Sequence, residues 1–220
     1  MAQAIRPGLY AITDQGLIPE RSLLDAVSQA IAGGATVVQC RDKDPSPAAR
    51  LRRAEQLVAL CSEHAVPLII NDDVELARYL GAAGVHLGKD DITLTDARAR
   101  LGEDAIIGVS CYNDYARADV AATQGADYVA FGRFFSSATK PQAVQADVRL
   151  LQQAKQHLDI PVVAIGGITP ANGGELVKAG ADLLAVIHGL FGEKDICRAA
   201  QRYTALFGSA TEKNTLSVSA

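Results

Sequence analysis

The sequence predicts a single (β/α)8 TIM barrel, and three observations carry that prediction. Short apolar runs recur eight times: Leu9–Ile12, Thr36–Cys40, Leu68–Ile70, Val85–Leu87, Ile106–Val109, Tyr128–Phe131, Val162–Ile165 and Leu183–Ile187. Several lack polar alternation, as strands of a parallel sheet covered on both faces do. Stretches of helical periodicity lie between them. Finally, Gly34-Ala35, Gly125-Ala126-Asp127 and Gly180-Ala181-Asp182 each stand just before an even-numbered run, with Gly81-Ala82-Ala83-Gly84 a looser copy. Eight βα units with such pseudo-repetition favour a closed barrel over an open doubly wound sheet.

Taken in order, the first helix shows a stripe of Leu23, Leu24, Val27 and Ile31, and the second a stripe of Leu51, Ala54, Leu57, Val58 and Cys61. Ser46 followed by Pro47 is a helix start, because serine caps free N–H groups and proline suits the first helical position. Glycine just past a helix end supplies the left-handed residue that returns the chain to the sheet. Val66-Pro67 and Ile160-Pro161 introduce the third and seventh strands. Ile196, Ala199, Ala200, Tyr203 and Phe207 form a closing helical stripe. Residues 1–7 read as a lead-in, 8–207 as the barrel, and 208–220 as a polar, aperiodic tail expected to be disordered.

Composition narrows the function. Of 220 residues, 49% are hydrophobic and 21% charged, which suits a globular chain with a full core. A formal net charge of -4 argues against general nucleic-acid binding, which needs a basic surface. The four cysteines, Cys40, Cys61, Cys111 and Cys197, are scattered without C-x-x-C spacing, so reduced thiols and a cytoplasmic protein are expected. No apolar run reaches the ~18 residues of a membrane span, so no membrane partner is expected. The residues Met1 to Arg6 do not read as a signal peptide.

Chemistry in such barrels gathers where the strands end. Along Val37-Val38-Gln39-Cys40-Arg41-Asp42-Lys43-Asp44, alternation places Gln39, Arg41 and Lys43 on one face. The third strand ends in Asn71, Asp72 and Asp73. The fourth is followed by Lys89, Asp90 and Asp91, and the fifth ends in Ser110. The sixth runs into Ser136-Ser137-Ala138-Thr139-Lys140, the seventh into Gly166-Gly167-Ile168-Thr169, and the eighth into Ile187-His188-Gly189. The opposite strand ends carry mostly Gly, Ala and Pro.

Each group has two readings. Arg41 and Lys43 are either an anion site or a solvated rim paired with Asp42 and Asp44. Asp72 and Asp91 either cap helices or hold a hard cation such as Mg2+, which takes one or two carboxylates and leaves room for phosphates. The glycine pair is a tight turn or a phosphate cradle. His86 reads as a satisfied core residue, and His188 as ligand contact or structural fill. Alternation sends Cys111 towards the helices, away from nucleophilic duty.

Together these segments resemble the thiamine phosphate synthase family. The resemblance runs from Tyr10-Ala11-Ile12-Thr13-Asp14 to Val186-Ile187-His188-Gly189-Leu190-Phe191. It is carried by Val38-Gln39-Cys40-Arg41-Asp42-Lys43, Ile70-Asn71-Asp72, Gly84 through Asp91, Gly108-Val109-Ser110, Thr139-Lys140-Pro141 and Ala164 through Pro170. The resemblance implies a transferase that joins 4-amino-2-methyl-5-(diphosphooxymethyl)pyrimidine to a thiazole phosphate with Mg2+, releasing pyrophosphate. It further implies that Gln39, Cys40, Arg41, Asp42, Lys43, Asn71, Ser110 and Lys140 hold the pyrimidine diphosphate, and that Asp72 and Asp91 bind Mg2+. Ser137, Ala138, Thr139, Gly166, Gly167, Ile187 and His188 would receive the thiazole phosphate. Arg41, Lys43 and Lys140 would stabilise the departing diphosphate, and a homodimer is the family's expectation. His188 stands where the family usually has Ser. Rival expectations are a thiazole tautomerase-like barrel and a non-catalytic thiazole phosphate sensor.

Overall fold

The computed structural model describes residues 5–136 and 145–214, with side chains described through Gly208. Eight parallel strands close in sequence order: β1 (Gly8–Ile12), β2 (Ala35–Cys40), β3 (Leu68–Asn71), β4 (Gly84–Leu87), β5 (Ile106–Tyr112), β6 (Tyr128–Gly132), β7 (Val162–Ile165) and β8 (Leu183–Val186), with β8 paired back to β1. Helices α1 (Leu23–Ala32), α2 (Pro47–Glu63), α3 (Val74–Leu80), α4 (Leu94–Leu101), α5 (Tyr115–Thr123), α6 (Arg149–His157) and α7 (Gly173–Lys178) alternate with them. The short α8 (His188–Phe191) and the long α9 (Ile196–Asn214) close the chain. The predicted barrel is therefore the fold observed.

Two apolar layers follow from the period of two along each strand. Tyr10, Ile12, Val37, Ile69, Ile106, Tyr128, Ala130, Val163, Leu183 and Ala185 fill the interior. Their sequence neighbours, such as Leu9, Val38, Ile70, Val85, Ile107, Val129 and Leu184, pack outward against the helices. A short parallel strand is hydrophobic on both faces because both are buried.

The helix signals hold with two amendments. Ser46 accepts a hydrogen bond from the Ala49 N–H, with Pro47 in the first turn. Gly34, Gly125 and Gly180 adopt φ of 101°, 89° and 113°, the left-handed turn that brings each helix back to an even strand. Leu24, however, is 39% exposed, because α1 begins at Leu23 and buries Leu23, Ala26, Val27 and Ala30 instead. The last helix continues past Phe207 to Asn214, so 208–214 extend α9 where a tail was expected; residues 215–220 lie outside the described part.

Candidate active site

Continuing the inward face of each strand to its carboxyl end gives the site. On β2 that face is Val37, Gln39 and then Arg41; on β3 Ile69 and Asn71; on β4 Gly84 and His86; on β5 Ile106, Gly108 and Ser110. A cavity of about 370 Å3 opens at this end, within the usual size range of small-ligand sites. Gln39, Arg41, Asn71 and Ser110 line one side, and Gly166, Gly167, Ile187 and His188 the other. Eight of the residues singled out in the sequence therefore line one cavity.

The loop after β2 separates along its own alternation. The Arg41 guanidinium lies 2.8 Å from the Asp14 carboxylate at the end of β1, and its backbone N–H is held by Thr13 Oγ1. Lys43 Nζ lies 2.5 Å from Asp72 Oδ2. Cys40 and Asp42, expected among the substrate contacts, turn the other way. Cys40 is buried in the layer beneath the helices, where burial and then Asp42 push its thiol up to about 12. Asp42 pairs at 2.7 Å with Arg53 of α2. The alternation that turns Gln39 and Arg41 inward turns these two side chains outward, because odd and even residues face opposite sides.

Arg53 was not singled out in the sequence. Only 8% exposed, it joins Asp42, Asp44 and Glu20 at 2.7, 3.0 and 3.2 Å, so one buried guanidinium ties the loops after β1 and β2 together. The carboxylates that were candidates to neutralise Arg41 and Lys43 are thus engaged elsewhere. Asp14, another partner that the sequence did not mark as functional, takes that place beside Arg41.

The acid pair stands at the β3–β4 side of the mouth, off the cavity wall itself. Helix capping is done by their neighbours: Asp73 accepts from Leu76 N–H at the start of α3, and Thr93 from Asp96 N–H at the start of α4. Asp72, freed from that duty, sits at a φ of 65°, a left-handed backbone uncommon for a non-glycine residue. Asp91 accepts the Gly88 N–H at 2.6 Å. The two carboxyls come within hydrogen-bonding reach of each other. Burial first, and then the charge of Asp72, hold the Asp91 carboxyl above its usual range, against the Gly88 N–H and Lys43. Two crowded carboxylates from adjacent loops suit a hard cation, which would relieve their repulsion and leave its other positions for phosphate and water. Among the described residues there is no cluster of three or more His, Cys, Asp or Glu.

The far side is a close-packed glycine turn. A Cβ on Gly166, at φ 105°, would overlap Arg133, and one on Gly167, at φ 64°, would overlap the Ser136 carbonyl. Asn172 fixes this turn by donating to Gly167 O at 3.1 Å and accepting from Thr169 N–H at 2.7 Å. Only glycine lets these strands approach so closely. The opening turn of α8 begins at His188, and the first N–H groups of a helix lack intrahelical partners. Ser137, Ala138, Thr139 and Lys140 lie outside the described residues.

The floor holds what the sequence reading missed. His86, taken as core, reaches Tyr128 Oη at 2.9 Å and Ser110 Oγ at 2.8 Å, and Tyr10 reaches both Tyr128 and Gln39 at 2.8 Å. The available signal was tyrosine at inward positions of otherwise apolar strands. Gly108 makes this possible, since a Cβ there would overlap the Tyr128 ring.

Fold and mouth define a barrel enzyme whose strand ends surround a cavity of apolar side chains with a few convergent polar groups. Residues 9–190 match the family model described as thiamine monophosphate synthase, and the chain belongs to that family. It is similar to the thiamine-phosphate synthase of Nitrosococcus oceani, 52% identical over 209 residues that cover 95% of this chain and 96% of that one. The thiamine-phosphate synthase of Marinobacter nauticus is 55% identical over 188 residues, covering 86% of this chain and 84% of the relative. A solved thiamine phosphate pyrophosphorylase from Pyrococcus furiosus superposes with a TM-score of 0.83 at 32% identity, covering 93% of this chain and 97% of its own. The chain is accordingly a transferase of thiamine biosynthesis. None of its described helices is long and apolar enough to cross a membrane.

Proposed function

We propose that the enzyme joins 4-amino-2-methyl-5-(diphosphooxymethyl)pyrimidine to a thiazole phosphate, giving thiamine phosphate and pyrophosphate. The observation that carries this reading is the single cavity lined by Gln39, Arg41, Asn71 and Ser110 on one side and by the glycine turn and His188 on the other. Two phosphorylated reactants need two anion-binding walls facing one another. Asp72 and Asp91 would hold Mg2+, which when bound supplies positive charge to the diphosphate.

We read no covalent route through the cysteine that follows Ser110. Cys111 is fully buried, and burial pushes its thiol up to about 12. A dissociative course fits better. The bond between the pyrimidine methylene carbon and the diphosphate oxygen breaks, and its electron pair leaves with the diphosphate. The aminopyrimidine ring spreads the resulting positive charge, and the thiazole nitrogen lone pair then forms the new C–N bond. Arg41, Lys43 and, from its motif, Lys140 would stabilise charge growing on the leaving group. At an effective dielectric near 20, one such contact at ~4 Å amounts to about 4 kcal/mol before desolvation. Only the part that strengthens in the transition state accelerates the reaction.

The test is direct. With both substrates and Mg2+, the protein should form thiamine phosphate and pyrophosphate in equal amounts. Absence of product would defeat this reading and favour a tautomerase-like or sensing barrel.

A further inference from the structure

A row of polar groups crosses the barrel interior from one cavity-lining residue to another. Gln39 Nε2 donates to Tyr10 Oη at 2.8 Å, Tyr10 Oη and Tyr128 Oη are 2.8 Å apart, Tyr128 Oη and His86 Nδ1 2.9 Å, and His86 Nε2 and Ser110 Oγ 2.8 Å. The links come from β2, β1, β6, β4 and β5 in turn. Gln39 and Ser110, the two ends, line the cavity, whereas Tyr10 and Tyr128 are 1% and 0% exposed.

The first bond decides all the others. The Gln39 N–H occupies the Tyr10 oxygen, so the single Tyr10 hydrogen goes to Tyr128. The Tyr128 hydrogen then goes to Nδ1 of His86. A neutral imidazole that accepts at Nδ1 carries its hydrogen on Nε2 and donates it to Ser110 Oγ. The hydroxyl hydrogen of Ser110 is left for the cavity. At the other end, Gln39 has its amide nitrogen on Tyr10 and no described protein partner on Oε1, and no buried side-chain oxygen or nitrogen among the described residues lacks a partner; that oxygen therefore opens to the cavity. Burial keeps both phenols protonated by raising them above their ordinary value, so both remain donors.

We infer that these five residues act as one directional hydrogen-bond wire, which makes Gln39 and Ser110 a coupled reader of the bound ring. A ligand that gives an N–H to Gln39 Oε1 meets Ser110 as a hydrogen donor. A ligand with only an acceptor at that place turns the Gln39 amide over. Every bond in the wire then reverses, and Ser110 meets the ligand with its lone pairs. Tyr10, Tyr128 and His86 are positioning residues that act through Ser110. Resting on the proposed substrate, the wire selects a 4-aminopyrimidine over its 4-oxo counterpart at a distance from the ring substituent itself. For the oxo compound the ring keeps a partner in the turned Gln39 amide, but the diphosphate loses the Ser110 donor.

Two measurements test this. The first is the 15N spectrum of histidine-labelled, ligand-free protein at pH 7.5, with His86 assigned by its loss in His86→Asn. The expected result is the neutral Nε2–H tautomer in wild type and a mixture in Tyr128→Phe. An Nδ1–H tautomer or an imidazolium in wild type overturns the wire. The second is the ratio of kcat/KM for the 4-amino and 4-oxo pyrimidine diphosphates. Cutting the wire in Tyr128→Phe should lower that ratio roughly tenfold or more, as expected for one charge-assisted hydrogen bond. Tyr10→Phe cuts it one link earlier and serves if Tyr128→Phe does not fold. A ratio unchanged within about twofold overturns the coupling. If wild type turns over neither compound, the proposed reaction fails, and the tautomer still decides the wire.

Discussion

At the amino-terminal rim, Asp127 and Asp182 are each satisfied on every side. Asp127 gives its N–H to Ile107 O at 2.8 Å and accepts the Ile107 N–H on its carboxylate at 2.7 Å, while Arg98 closes the arrangement at 2.6 Å. Asp182 repeats this with Val162 at 2.8 and 2.9 Å and Lys155 at 2.7 Å. At the carboxyl-terminal rim, Asp72 and Asp91 face one another, one on a left-handed backbone, with Lys43 as their nearest cation. The same residue type thus holds strands together at one end. At the other it stores electrostatic repulsion that a ligand can relieve. Barrels keep stability and chemistry at opposite ends, and under the proposed function aspartate serves both.

That contrast can be broken by exchange of single atoms. Asp91→Asn keeps an acceptor for the Gly88 N–H and removes the charge beside Asp72. Steady-state pyrophosphate release should fall at least ~100-fold, about 3 kcal/mol of transition-state stabilisation. Its melting temperature should match or exceed wild type; a stability loss with full activity would reverse the assignment of the rim. Next in size, Arg53→Met leaves the enclosed Asp42 without its cation, and urea denaturation should show a loss of about 3 kcal/mol. A neutral result would mean that water reaches Asp42 and the buried hub is unimportant.

Asp127→Ala should cost about 1–3 kcal/mol, since the Ile107 N–H loses its acceptor and Arg98 keeps only backbone carbonyls. Activity per folded molecule should stay within about twofold of wild type, as expected for a change at the non-catalytic end. A turnover defect would couple the two rims and blur the comparison. The smallest effect concerns thiols. Burial pushes Cys40, Cys61 and Cys111 up to about 12, so the thiolate is scarce at every pH below that value. At pH 8 the folded protein should release one equivalent of a chromogenic disulfide's thiolate rapidly, from the half-buried Cys197. Rapid reaction of all four would show that the outer core opens readily.

Much of this was legible in the chain. The eight strands announced themselves because burial on both faces leaves a continuous apolar run, and the glycines before β2, β6 and β8 because only glycine takes a left-handed turn cheaply. Gln39 and Arg41 were found by counting along β2 in twos, Asn71 and Ser110 by reading the strand ends, and all four fall on one cavity. The same counting set Cys40 and Asp42 on the far face, against the expectation drawn from the motif. Leu24 failed because α1 turns Leu23, Ala26, Val27 and Ala30 to the core, which leaves Leu24 off the buried face. Arg53 and Asp14 were missed for another reason: an ion pair between residues 11 or 27 positions apart has no local periodicity.

The sequence by itself determined the barrel, its closure and the rim where polar groups gather, since strand period, helix period and turn chemistry are all properties of neighbours in the chain. Only the tertiary structure decided which charge meets which. Arg41 meets Asp14, Lys43 meets Asp72, and Tyr10, Tyr128, His86 and Ser110 join hands across four strands. Hydrogen bonds and ion pairs act over about 3 Å of space, and closing a barrel brings together residues that the order of the chain keeps far apart.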